Sequence, residues 1–413
     1  MIRTQETKDY FTKGGVVMSN QKETTTLNLA AIFGLALMGM CITVVTPAMG
    51  TFIAQWPEHG PAGDGMYAYI STLPTLMTLI CSPIFGALAG KKMKFKTLSI
   101  LGTGLVVVGG LLPAIIGGSF YFVLFTRVLL GMGVGIIAPL GNALIIGCYK
   151  GQKQATYLGW ATLFMNGGGI VFQLLGGFLA EAGGWQMTFW GHGFALVSFL
   201  LAFFIPEPEG VEQPVQTAEG PVKKEKMHWM VWFVGFFLLL FNVLNFPVMM
   251  NISVLFDQRG AGGAAAASIG TTIYTVAGMF AGMIFGALFA KIKRFIIPIG
   301  MAFCTLGAFL VWSGQTALIM DAGLACVGFG FSCWFPAFTG LVGMWTPPST
   351  VAFGMSIVMA LMNGGGFLCT YWLMIVKKLT GNAVEMPILI EVIIFAVITV
   401  GLFIWDPYPK KDK

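Results

Sequence analysis

The chain has 413 residues, of which 56% are hydrophobic and only 10% charged. A water-soluble domain carries about 25% charged residues, so this chain lacks the polar surface of a soluble globule, and its solvent is lipid. The net charge of +6 is then a property of loops close to a membrane surface and not a signal of nucleic-acid binding.

In chain order, residues 1–26 are polar and hold no apolar core, so they read as a cytoplasmic tail with no cleavable signal. Met18, which opens MSNQKETTT, is the expected natural start. Twelve apolar runs follow, at 27–54, 68–90, 95–117, 119–147, 153–182, 187–206, 228–256, 263–290, 294–313, 317–343, 349–376 and 384–405. Each is about 20 residues or longer, enough to cross roughly 30 Å of hydrocarbon at 1.5 Å per residue. Several contain Pro or Gly and are expected to kink. Between the sixth and seventh runs lies EPEGVEQPVQTAEGPVKKEK, at 207–226, a polar linker. The predicted organisation is a tail (1–26), an N-terminal half (27–206), a cytoplasmic linker (207–227), a C-terminal half (228–405) and a second tail (406–413).

Basic residues orient the spans. With the N-terminus inside, the inner segments hold Arg3, Lys8, Lys13, Lys22, Lys91, Lys92, Lys94, Lys96, Lys150, Lys153, Lys223, Lys224, Lys226, Lys291, Lys293, Arg294, Lys410, Lys411 and Lys413. That is nineteen of the 23, against Arg259, Lys377 and Lys378 outside. The bias places both ends in the cytoplasm of a plasma membrane, here a bacterial inner membrane. The remaining basic residue, Arg127, lies inside a span. The seven cysteines lie within spans without metal spacing, and no GxxxxGK[ST] is present. Neither a metal, a cofactor nor ATP-driven work is therefore expected.

The chain repeats itself. IFGALAGKKMKF at 84 returns as IFGALFAKIKRF at 284, and Pro47 returns as Pro247, both offset by 200. MNGGG at 165–169 returns at 362–366, Pro139 returns as Pro336, and Gly131 and Gly133 return as Gly328 and Gly330, all offset by 197. Both halves begin on the same side of the membrane. The fold class that follows is all-α and integral to the membrane: twelve transmembrane helices in two six-helix parallel repeats.

Six plus six spans, a cytoplasmic linker and this repeated phrase resemble the major facilitator superfamily. Its motif G-x-L-a-D-r-x-G-r-k is matched by Gly86, Leu88, Ala89, Lys91 and Lys94, with Gly90 standing where the acid belongs. The second copy has Gly286, Leu288, Lys291, Lys293 and Arg294, also without an acid. Arg127, Gly131 and Gly133 match R-x-x-x-G-x-G in span four. Gly176, Gly177 and Leu179, followed by Trp185 and Phe189, match part of the span-five pattern of the efflux-like branch. The resemblance implies a secondary transporter moving a small organic molecule by alternating access, with export favoured over import. It also implies a conformational latch around Gly86, Lys91, Lys92, Lys94, Gly286, Lys291 and Arg294, weakened by the missing acid.

Polar residues in a span usually face the bundle interior. The expected substrate contacts are the symmetric pair Asn166 and Asn363, then Arg127, Gln173, Asn142, Asn242, Asn245, Tyr274, Trp334 and Tyr371. Coupling, with H⁺ as the candidate ion, falls to Arg127, Glu391 and His192. Spans one to five carry no interior acid, and Glu181, Asp257 and Asp321 sit at or near span ends. The cargo expected is therefore neutral or anionic rather than cationic, carried by a monomer. The alternatives are an organic-anion uptake porter or exchanger using Arg127, and a sensor on a transporter fold that moves nothing.

Overall fold

The computed structural model of the chain describes residues 25–90, 92–149, 151–208, 228–346 and 348–405. The tail up to residue 24, Lys91, Lys150, most of the expected linker (209–227) and the end from 406 lie outside the described residues. Among the described residues, ten segments are long and apolar enough to cross a membrane. Two of them, Thr156–Ala202 and Ala264–Ser313, are each a pair of helices joined at a break. At the first break Gly184 has φ +71; at the second Lys293 has φ +47.

Twelve crossings result: α1 (Thr26–Gln55), α2 (Met66–Leu88), α3 (Phe95–Ile116), α4 (Phe120–Cys148), α5 (151–182) and α6 (185–202). The second six are α7 (Trp229–Gln258), α8 (Ala264–Ile292), α9 (Ile296–Ser313), α10 (Ala317–Trp345), α11 (Pro348–Thr380) and α12 (Glu385–Ile404). An even number of crossings returns the chain to the side where it began. That face is the termini side below, and the opposite one the far side.

The first helix of each half shows how local sequence decides a kink. In α1, residues Cys41–Ala48 wind as a 3₁₀ helix that contains Pro47. The run Ile42-Thr43-Val44-Val45-Thr46 is wholly β-branched, and Pro47 removes a backbone donor, so regular α-helix is weakened twice. In α7 Pro247 follows Phe241-Asn242-Val243-Leu244-Asn245-Phe246, and the helix runs through it unbroken.

Helices in lipid gain little from hydrophobic burial against one another, so close backbone approach matters more. The glycines show where it occurs. A Cβ on Gly131 would lie 2.5 Å from Pro74, and one on Gly328 would lie 2.1 Å from the carbonyl oxygen of Tyr274. Gly102 and Gly133 face each other between α3 and α4, as Gly300 and Gly330 do between α9 and α10. A Cβ on Gly168 would lie 2.4 Å from the Leu37 carbonyl oxygen, and one on Gly365 would lie 2.4 Å from that of Leu239. The same contacts recur in the same order in both halves, which is the parallel repeat expressed as packing.

Each half has its own buried core. One cluster runs from Ala31 to Ile205 and takes in Met250, Ala264, Cys369 and Leu373 from across the boundary. The other two lie wholly between Met230 and Leu402. Arg259, in the loop after α7, ties the second half together at its far end. Its Nη1 donates to the carbonyls of Val311 (2.8 Å) and Gly314 (2.5 Å), and its Nη2 to Trp312 (2.6 Å) and to Glu385 (3.2 Å). A cation on the carbonyl end of α9 is also well placed against the helix dipole.

Candidate functional site

The two halves meet along two seams, α5 against α8 and α2 against α11. Among the described residues, a set of hydrogen bonds joins the halves toward the far side. Tyr67 Oη donates to Asn251 Oδ1 at 2.6 Å, and Asn251 Nδ2 donates on to the Ala383 carbonyl at 2.9 Å. The Thr72 and Thr370 hydroxyls are 2.8 Å apart. The Gly50 amide donates to Ser253 Oγ at 3.2 Å, and the Ala265 amide to Glu181 Oε2 at 3.1 Å. Thr275 Oγ1 donates to Gln173 Oε1 at 3.2 Å. Gly177 lies so close to α8 that a Cβ there would fall 2.3 Å from Ser268. Nearer the termini side, Gly159 and Gly167 on α5, Gly282 and Gly286 on α8 and Gly364 on α11 all face open space. The halves are closed at the far side and apart at the termini side.

This geometry places the asparagine pair. Seven residues are two turns of helix and return to the same face. Asn166 is two turns below Gln173, on the α5 face that meets α8. Asn363 is two turns below Thr370, on the α11 face that meets α2. Each therefore sits about 10 Å toward the open side of its seam's hydrogen bond, at 1.5 Å per residue. Both are half-buried, and Asn363 Nδ2 donates to the Met359 carbonyl of its own helix at 2.9 Å. One stands at each seam, where the halves diverge. Gln173 and Tyr371 belong to the same seams: Tyr371 is exposed and packs edge-on to Tyr69 of α2 at 6.4 Å. Asn142 is exposed on α4, while Asn242 bonds the Leu238 carbonyl one turn back at 3.1 Å. Tyr274 is half-buried, with its backbone against Gly328.

Three expectations are corrected. Trp334 does not line an opening: it is fully buried in the second half, edge-on to Phe237, Phe241 and Phe331. Arg127 faces neither a cavity nor the headgroups. It is fully buried inside the first half, where Nη2 donates to the Gly109 carbonyl of α3 at 2.7 Å and the guanidinium lies 4.7 Å from the Phe189 ring of α6. Its Nε and Nη1 have no partner among the described residues, and neither has the Nε2 of buried His192 nearby. Glu391 is fully buried in the other half and is not brought to Arg127. Replacing Arg127 by Met is expected to leave the detergent-purified protein at least as heat-stable as wild type. Exchanging a buried, poorly paired ion for an apolar chain of similar size is often neutral or stabilising by about 1–4 kcal/mol. A lower unfolding midpoint in Arg127→Met would show instead that the carbonyl bond and the ring contact hold the half together.

The latch residues are also placed differently from expectation. A Cβ on Gly86 would meet Pro139 of α4 at an ordinary 3.7 Å and one on Gly286 would meet nothing within 4 Å, so neither needs to be glycine for packing in this state. Lys91 lies outside the described residues. Lys92 lies in, and Lys94 follows, a tight turn in which Gly90, φ +73, stands where the motif has its acid. Lys291 is in the last turn of α8, and Arg294 stacks on Phe295 at 4.7 Å. An acid not anticipated from the sequence ties this loop instead. The Glu207 carboxylate accepts from the amides of Phe95 (3.1 Å) and Lys96 (2.8 Å), capping the start of α3, where the dipole favours an anion. Tyr67, Asn251 and Ser253 were likewise unanticipated, because the repeat offers no partner phrase for them.

Comparison with known proteins agrees with this architecture. Residues 31–269 match the profile of the family described as the Major Facilitator Superfamily. The quinolone resistance protein NorA of Staphylococcus aureus is 25% identical over 215 residues, 52% of this chain and 53% of NorA. The multi-drug resistance efflux pump PmrA of Streptococcus pneumoniae is 28% identical over 198 residues, 46% of this chain and 48% of PmrA. The chain spans about half the length of the curated relatives it matches. Over nearly the whole chain the fold is that of a D-xylose–proton symporter, with TM-score 0.71, 16% identity, and 92% and 97% of the two chains covered. A bacterial homologue of the human lysosomal transporter Spinster, in an inward-facing and unoccupied conformation, gives TM-score 0.71 at 15% identity over 94% and 97%.

Proposed function

The chain belongs to the Major Facilitator Superfamily, and from that premise we propose that it is a secondary transporter that exports a small organic molecule by alternating access. The single observation that carries this reading is the pair of seams, hydrogen-bonded at the far side and parted at the termini side. The lysine bias supports cytoplasmic termini in a bacterial plasma membrane, so the open mouth faces the cytoplasm, the loading side of an exporter. The names of the efflux relatives point the same way. The lack of an interior acid in spans one to five favours a neutral or anionic cargo over a cation. H⁺ is the coupling ion in this reading, and the protein works as a monomer with the two halves as its moving units. The organic-anion reading depended on Arg127 reaching the cargo, and its burial inside one half removes that support.

The test is flux. Purified protein in vesicles whose lumen meets the far side, with that lumen acidified, is expected to accumulate a fluoroquinolone used as probe. Asn166→Ala with Asn363→Ala should lower initial uptake about tenfold, the loss of two hydrogen bonds of roughly 0.5–1.5 kcal/mol each. No gradient-driven uptake of the probe by wild type would remove the export reading; normal uptake by the double variant would move the site elsewhere.

A further inference from the structure

Glu391 poses a problem that transport by moving halves does not by itself explain. Its side chain is fully buried in α12, and neither carboxyl oxygen has a hydrogen-bond partner among the described residues. Burying a carboxylate away from water without a partner is among the most costly things a span can do. Leucine there would serve packing better.

The neighbouring ring contact shows what faces it. Phe241 of α7 and Phe395 of α12 stack with centroids 5.0 Å apart and planes at 5°. The two helices are antiparallel. One turn toward the far side from Phe241 on α7 is Asn245, and one turn toward the far side from Phe395 on α12 is Glu391. Residues four apart share a helix face, so Asn245 and Glu391 stand at one level on the faces that meet. Asn245 is 5% exposed, and its Oδ1 is also without a partner. The place therefore holds three oxygen atoms that accept hydrogen bonds and receive none.

Among the described residues, no basic side chain is bonded to them. Of the titratable groups around Glu391, Tyr274 of α8 and Cys304 of α9 fall within its electrostatic reach, and neither is a cation. Cys326, Cys333 and Asp321 on α10 carry no positive charge. Arg259 is engaged at the far end with Glu385 and three carbonyls. Lys377 and Lys378 lie in the last turn of α11.

We propose that Glu391 and Asn245 form a proton-carrying pair inside the C-terminal half. A proton taken from water onto one carboxyl oxygen of Glu391 forms an O–H bond, and that O–H donates to Asn245 Oδ1. One small ligand thus removes the uncompensated charge and supplies the missing donor. Release reverses the step: the O–H bond breaks, the proton returns to water, and the Glu391 carboxylate reverts to an acceptor only. This deepens the transport reading by giving the coupling ion a place. That place is buried within the C-terminal half, whereas Asn166 and Asn363 stand at the seams, so proton and cargo occupy different sites.

The decisive measurement needs no cargo. Infrared difference spectra of the full chain in lipid, between acid and alkaline pH, are expected to show the C=O band of a protonated carboxyl. Glu391→Gln should abolish that band. Asn245→Ala should keep it but shift it toward the frequency of a carboxyl that donates to nothing. In vesicles Glu391→Gln should still equilibrate the fluoroquinolone probe downhill, with gradient-driven accumulation lost at least tenfold. A band unchanged in Glu391→Gln, or unmoved in Asn245→Ala, overturns the pair. Loss of the wild-type band on adding sodium chloride, but not potassium chloride, would make it a sodium site and also overturn the proposal. Should Glu391→Gln fail to fold, the Asn245→Ala spectrum alone decides. Should the bands behave as stated while no probe is transported, the pair stands and the export reading falls.

Discussion

Alanine at Gly328 should cripple folding, while alanine at Gly364, on the next helix, should do nothing or slightly stabilise. A Cβ on Gly328 would sit 2.1 Å from the carbonyl oxygen of Tyr274 and 2.9 Å from its carbon, atoms of a helix backbone that cannot swing aside as a side chain can. Relief requires α8 and α10 to separate, which would also loosen α10 against α9, where Gly300 and Gly330 interlock. Overpacking a tight core commonly costs about 1–3 kcal/mol, and a clash with backbone belongs at or above the upper end. At Gly364 the same methyl group enters open space. There alanine gains up to about 1 kcal/mol of helix propensity over glycine. The unfolding midpoints of the two purified variants should therefore move in opposite directions, with Gly328→Ala poorly recovered as a monodisperse species. Equal midpoints would mean that α8 and α10 do not approach as closely as described.

Asn251→Leu should open the far side. Asn251 is fully buried and accepts from Tyr67 across the boundary while donating to Ala383 within its own half. Leucine removes the acceptor and leaves the Tyr67 hydroxyl and the Ala383 carbonyl unmet whenever the far side is shut. A buried group left unsatisfied costs about 1–3 kcal/mol. When the halves part, water reaches both groups and the penalty disappears. The equilibrium should shift toward the far-side-open state by about tenfold to a hundredfold, since each 1.4 kcal/mol is a factor of ten. Spin labels on the exposed Glu58 and Gln258, one on each half at the far side, would read this as a gain of the longer distance in pulsed dipolar spectra. An unchanged distribution would show that the closed state draws its stability from Gly177 and Ser268, or the threonine pair, instead.

How much of this was legible in the sequence depended on whether a residue had an echo. The pairs Gly131/Gly328, Gly133/Gly330 and the MNGGG segments were readable because small residues in register across an offset near 200 leave a pattern, and the structure turns each into the same contact in both halves. Asn166 and Asn363 were readable as a pair, but their place at the seams was not, because it depends on where Gln173 and Thr370 find partners in the other half. Arg127 was misplaced for a related reason. Depth along a span follows from counting residues, whereas the face a side chain presents depends on its neighbours, here Gly109 and Phe189. Trp334 was misjudged because an aromatic residue in an apolar alphabet looks the same in a core as in a lining. Glu207 and Arg259 were invisible as anchors because their partners are backbone amides and carbonyls, which every residue possesses and no pattern marks.

The 3₁₀ stretch of α1 changes the rotational phase of that helix. A 3₁₀ helix advances about 120° per residue and an α-helix about 100°, so a run of eight accumulates about 160° of excess rotation. Residues before Met40 and after Met49 are therefore turned almost half a revolution from where a continuous helical wheel would put them. The stripe of Leu35 and Met38, which faces the core on the termini side, does not continue upward along one line. A different set, Met49 and Phe52, takes over above the break. A single span thus shows two compass bearings to its neighbours, and returning the eight residues to regular α-helix would swing one bearing past the other while shortening the span by about 4 Å.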